Sequence, residues 1–251
     1  MENAMMAVND DAKAITVWNN VLKGALKIPG ARVNRKNFLK KELSKYCNDS
    51  VVKEVVNNGY RNVTVEPKII NRIADSTISY HTRIATSISF AAGLPGGWWM
   101  AATIPADLSQ FYYHIIVVAQ KLAYLYGWPA FDEEEPSDEF LGILTLFIGV
   151  MSGTQAAVST VGKLAEAFAG QVVKRLPQKA LTKYGFYNII KQIAKWLGIS
   201  LTKDSFAKGL SKLVPVVGGV ISGGLTVATF LPMSKRLKNY LSVLPIANNC
   251  R

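Results

Sequence analysis

The chain is short of the residue types on which most site chemistry depends. Only two cysteines occur in 251 residues, Cys47 and Cys250, and neither lies in a Cys-x-x-Cys or Cys/His spacing. That excludes a disulfide framework and a zinc finger. Two histidines, His81 and His114, are too few for a histidine-rich metal centre. Motifs are missing as well. No Gly-x-Ser-x-Gly elbow presents a serine nucleophile, no Gly-x-x-x-x-Gly-Lys-[Ser/Thr] loop cradles a phosphate, and no His-Glu-x-x-His helix is present. Strand signals are scarce, the best being Asn62 to Val65. The first 30 residues hold Glu2, Asp10 and Asp11 and no continuous apolar run, so no signal peptide is read there.

Charge is scarce and one-sided. Charged residues make up 18% of the chain against 49% hydrophobic, and 29 Lys and Arg face 17 Asp and Glu, a net charge of +12. Such a composition excludes intrinsic disorder and calls for an anionic partner. Two regions carry the basic excess. Lys23, Lys27, Arg32, Arg35, Lys36, Lys40, Lys41 and Lys45 face only Glu42, and a second basic region runs from 163 to 212. The acids gather at Asp132 to Glu135, Asp138 and Glu139, a solvated loop between helices.

Three stretches have no charge at all: Ile84 to Ala106, Phe140 to Gly162 and Leu213 to Ser234. Each matches the roughly 20 residues that cross a bilayer. Each is also interrupted by Gly, Pro or polar residues, which fits helical hairpins or close-packed helices better than simple spans. A buried helix layer in a water-soluble domain and insertion into a membrane are both open readings. The glycines at 216–224 are read as permitting tight helix packing.

Helical periodicity recurs throughout, and the expected fold is all-α: a multi-helix bundle with glycine-rich apolar helices arranged as hairpins and no significant sheet. Helices are expected over 11–27, 35–46, 50–58, 67–92, 98–127, 138–150, 154–174, 181–197, 203–212 and 216–243, the last broken near Pro232. Asp49 and Ser50 are the expected caps of the third. Residues 1–62 form a basic N-terminal helical region and 63–251 a larger helical domain, with a possible subdivision at the acidic loop 129–139. Leu108, Tyr112, Ile115, Ala119, Leu122 and Tyr126 fall on one face of a single helix. Asp107 and His114 lie seven apart on that helix, within about 20° of one another, and can share a site. An antiparallel hairpin would add His81 from the preceding helix. These three are the candidate catalytic residues. They could also form a three-ligand metal centre, but no short motif supports it, and neither metal nor cofactor is expected. On 181–197, Phe186, Ile189, Ile190, Ile193 and Trp196 share a face, with Lys183, Lys191 and Lys195 around the other. Such a helix can lie on an anionic membrane or pack on a core with its lysines in water.

Residues 93–128, GLPGGWWMAATIPADLSQFYYHIIVVAQKLAYLYGW, resemble the central signature of the EcsC family at Gly93, Leu94, Pro95, Gly96, Gly97, Asp107, Tyr126 and Gly127. A later segment, KLVPVVGGVISGGLTVATF, is similar to that family's C-terminal apolar element at Pro215, Gly218, Gly223 and Gly224. The resemblance covers roughly 65–240. It implies work at a membrane and no assigned catalytic residue. In the first motif, Trp98 and Trp99 sit where indoles anchor at a lipid interface or fill a groove.

The expected function is therefore a membrane-associated helical protein that binds an anionic membrane or a membrane partner from the cytoplasmic side, peripherally or partly inserted. An enzyme acting on a lipid or hydrophobic small molecule through Asp107 with His114 or His81 ranks second, beside a membrane-disrupting effector. Nucleic acid ranks last among partners, because no recognition motif accompanies the charge.

Overall fold

The computed structural model describes the backbone of residues 2–93, 100–131, 137–169, 185–202 and 215–250, with side chains at 10–87, 110–131, 137–169, 185–201, 224 and 227–247. Leu94 to Trp99, Lys183 and the 203–212 helix expectation lie outside those residues, as does the side chain of Asp107. The described residues form nine α-helices and no sheet: α1 (Glu2–Leu26), α2 (Arg35–Leu43), α3 (Asp49–Asn58), α4 (Pro67–Gly93), α5 (Met100–Leu125), α6 (Asp138–Met151), α7 (Gln155–Ala169), α8 (Tyr187–Thr202) and α9 (Pro215–Ser242). A 3-10 helix, Pro245–Cys250, follows. Asn62 to Val65 is coil.

Local chemistry sets the boundaries. Asn34 and Asn48 cap α2 and α3, each side chain accepting from the backbone N–H three residues on. The α3 cap is thus one residue earlier than Asp49, which lies in the first turn, where a carboxylate suits the helix dipole. Pro67 opens α4, where a missing N–H is harmless. Gly127 closes α5 at φ +87°, with Trp128 N–H bonded to Ala123 O and Gly127 N–H to Tyr124 O. The same pair of bonds ends α6, from Thr154 N–H to Gly149 O and Gly153 N–H to Val150 O, with Gly153 at φ +83°. Arg236 adds a cap by donating to Met151 O at 2.5 Å.

Two sequence expectations need correction. First, α9 runs unbroken through Pro232. An interior proline costs about 3 kcal/mol, and burial of Phe230, Ser234, Leu237 and Leu241 on the side packed against its neighbours offsets it. Second, Gly224 is exposed and a Cβ there would meet no atom of the described residues, so it is not a packing glycine among them. Close approach is instead the role of Gly198, where a Cβ would fall inside the van der Waals shell of the Ala14 carbonyl as α1 crosses α8.

At the centre lie α5 and α6. From Phe140 to Met151 every residue of α6 is buried, which explains a charge-free sequence with no polar face. The Phe140 to Gly162 stretch is accordingly divided between α6 and α7, joined through 152–154. The α5 face expected from periodicity is buried at Tyr112, Ile115, Ala119, Leu122 and Tyr126. No described helix is long and apolar enough to cross a membrane. Residues of α1 to α3 join the same hydrophobic core as α4 to α9, through Trp18, Leu22, Leu39, Leu43 and Val55. Buried polar contacts tie the layers. Trp18 Nε1 donates to Thr145 Oγ1 at 3.0 Å, and Arg35 donates to Trp128 O and Val56 O, each at 3.2 Å. Gln120, 1% exposed, accepts from Val33 N–H at 3.0 Å and donates to Ala31 O at 2.7 Å and Ile116 O at 3.0 Å.

Candidate functional site

Two helices bring together the only two histidines of the chain. His81 on α4 and His114 on α5 are each 4% exposed, and their Nδ1 atoms lie 3.0 Å apart. The two helices are thus in contact at this point. A third group, which the sequence reading missed, completes the cluster: Lys121 Nζ lies 3.0 Å from His81 Nε2. Lys121 stands seven residues after His114, as Asp107 stands seven before it, so the three occupy one line along α5. Helical side chains lean toward the N-terminus, and the long lysine reaches back along α5 to the imidazole that His114 also meets.

Hydrogen-bond chemistry orders the protons. Lys121 donates, so His81 Nε2 accepts and its hydrogen sits on Nδ1. His81 Nδ1–H then donates to His114 Nδ1, which places the hydrogen of His114 on Nε2. That nitrogen is buried with no hydrogen-bond partner among the described residues. The result is a directed chain from an amine through one imidazole to a second. Burial lowers the proton affinity of both rings, assisted by the Lys121 charge, taking His81 down to about 3 and His114 to about 4. Burial also lowers the pKa of Lys121; Glu42 opposes that shift and Lys41 reinforces it.

Aromatic side chains flank the cluster. Tyr80 stands edge-on to His81 and Tyr113 to His114, with ring centroids 5.2 and 4.9 Å apart. Phe38 of α2 presents its ring 5.7 Å from Lys121 Nζ. Chelation fits this set poorly. The His81 nitrogen facing His114 carries its hydrogen, a cation occupies the other nitrogen, and no group of three His, Cys, Asp or Glu assembles among the described residues. Asp107 belongs to α5 by its backbone.

A second feature lies on the surface. Lys23, Lys27, Arg32, Lys36, Lys40, Lys41 and Lys45 are exposed along the end of α1, the following loop and α2. Arg35, from the same run, is buried and holds backbone carbonyls instead. The buried face is Phe186, just before α8, with Ile193, Ala194 and Leu197 on it, and Trp196 is 46% exposed. The face expected from the sequence is therefore rotated: Trp196 lies about 100° from the centre of the buried stripe. Lys195 pairs with Asp11 at 2.6 Å and Lys191 lies 4.5 Å from the Tyr187 ring centre.

Of the family-like motif residues, Tyr126 and Gly127 form the α5 terminus, and a Cβ on Gly127 would meet Ile246 O at 2.7 Å. Tyr126 Oη donates to Asn71 Oδ1 at 3.2 Å, tying that terminus to α4. Gly93 ends α4, while Pro215, Gly218 and Gly223 lie in the first turns of α9. No family model, curated protein or solved structure matches the chain.

Proposed function

We propose that this chain is a peripheral membrane protein that docks on anionic lipid through the basic surface of α1 and α2. The supporting observation is the exposed run Lys23, Lys27, Arg32, Lys36, Lys40, Lys41 and Lys45, in which Glu42 pairs with Lys45. Juxtaposed lysines each contribute about 1 kcal/mol near an anionic bilayer, so even part of this set supports surface binding. Exposed Tyr46 beside α2 and Trp196 on α8 are side chains suited to the headgroup region. Likeness to the EcsC family, resting on the two glycine-proline motifs, agrees with work at a membrane. Sedimentation with phosphatidylserine vesicles tests the reading. Binding that weakens with salt and is lost on neutral phosphatidylcholine supports it, and recovery wholly in the supernatant overturns it. Release of an encapsulated dye would turn the reading toward a membrane-disrupting effector.

A second reading is favoured by the His81–His114–Lys121 chain: an enzyme acting on a hydrophobic small molecule within the helical core, with Asp107 on the same line of α5. His114 Nε2–H, buried and without a hydrogen-bond partner among the described residues, offers a donor to a substrate oxygen. Turnover lost in His114→Gln with an unchanged melting temperature supports this role; melting-temperature loss in proportion to lost activity overturns it.

A further inference from the structure

We infer that Lys121 is a nucleophilic amine that condenses with a small anionic aldehyde, and that His81 accepts the proton this releases. The inference rests on the second reading above and names the group that reacts. It is read on the lysine itself, so vesicle binding and catalytic turnover can each fail while it stands.

Lys121 Nζ sits 3.0 Å from His81 Nε2, within proton-transfer reach. A neutral amine that gives one N–H to that nitrogen keeps its own lone pair directed elsewhere. The lysine is half-buried, reachable by a small molecule, whereas both imidazoles behind it are shielded from water. A lysine taken out of water holds its proton weakly, the condition that makes lysines nucleophilic. Burial is the main cause here and Lys41 adds to it, while Glu42 and the face of the Phe38 ring favour the charged form. Tyr80 and Tyr113 stand against the two imidazoles. With Glu42 paired to Lys45, exposed Lys40 and Lys41 on α2 favour an aldehyde that carries a carboxylate or phosphate.

The lone pair of Nζ attacks the carbonyl carbon, a C–N bond forms, and the π pair moves onto oxygen. One proton passes from nitrogen to His81 Nε2 and on to that oxygen, giving a carbinolamine. Loss of the hydroxyl as water, with the second nitrogen proton, leaves an imine. Aldehyde and amine are consumed, imine and water are formed, and no redox change occurs. His81 Nε2 relays the proton to the developing alkoxide and is neutral again afterwards, as its burial requires.

Glyoxylate serves as the probe, with cyanoborohydride to trap the imine and peptide mass spectrometry to quantify each lysine of the full chain. At about pH 7, Lys121 is expected to react several-fold faster than exposed Lys40 and Lys41, since its lowered pKa leaves more of it as the neutral amine. His81→Gln should slow Lys121 about tenfold and leave Lys40 unchanged. If that variant fails to fold, the wild-type pH profile decides, because the Lys121 rate should level off at lower pH than that of Lys40. Equal or slower reaction of Lys121 at every pH overturns the nucleophile. An unchanged Lys121 rate in a folded His81→Gln variant overturns the proton acceptor.

Discussion

His81 Nδ1 and His114 Nδ1 meet at 3.0 Å across the α4–α5 interface, and the direction of that hydrogen bond is set from outside the pair by Lys121. Both rings are held neutral by burial, with consequences for stability as well as for chemistry.

Acid should expose the cost of burying the pair. Each ring has a folded-state pKa below the ordinary 6.5, about 3 for His81 and about 4 for His114, so the unfolded chain binds protons that the native chain excludes. The stability involved is fully present above pH 6.5 and falls as the pH drops toward 4. Each histidine accounts for on the order of 2 kcal/mol by about pH 5. Urea unfolding at about pH 7 and about pH 5 measures the difference, and His114→Gln should make it smaller.

The same substitution should have opposite effects at two glycines. Gly198→Ala forces a methyl group against the Ala14 carbonyl and should destabilise by about 2 kcal/mol or more. Gly224→Ala places its methyl in open space within α9 and should stabilise by up to about 1 kcal/mol. Thermal melts of the two variants compare them directly.

Thr145→Val keeps the shape of the side chain and removes the acceptor of the Trp18 indole N–H. The stranded donor should cost about 1–3 kcal/mol, read as a lower urea midpoint with an unchanged slope.

Replacing Lys36, Lys40 and Lys41 together by Gln should weaken binding to phosphatidylserine vesicles by about a hundredfold. All three are exposed, so the melting temperature should hardly move. A vesicle affinity equal to wild type would remove α2 from the docking surface.

Much of the fold was legible because hydrophobic period and capping chemistry are local. The α5 stripe from Tyr112 to Tyr126, the Pro67 start of α4 and the Gly127 stop each follow from residues within a few turns. Pro232 misled because the packing that holds α9 together across it comes from distant chain segments. Trp196 misled for a related reason: a wide apolar face on α8 does not say which part of it α1 will cover, and Gly198 puts the crossing to one side of the indole. At the candidate site, seven-residue spacing pointed from Asp107 to His114. The same step onward reaches Lys121, a signal that was present and unused because a lysine on a helix usually reads as a solvated charge.

Gln120 gives the loop between α1 and α2 a property that its irregular backbone would not otherwise have. The Val33 amide is bonded to a buried side chain of α5, so its hydrogen should exchange with solvent only when that helix is released. By that measure the loop belongs kinetically to the centre of the molecule. The basic segment is thereby clamped to the helix that carries His114 and Lys121, and a pull on one will be felt by the other.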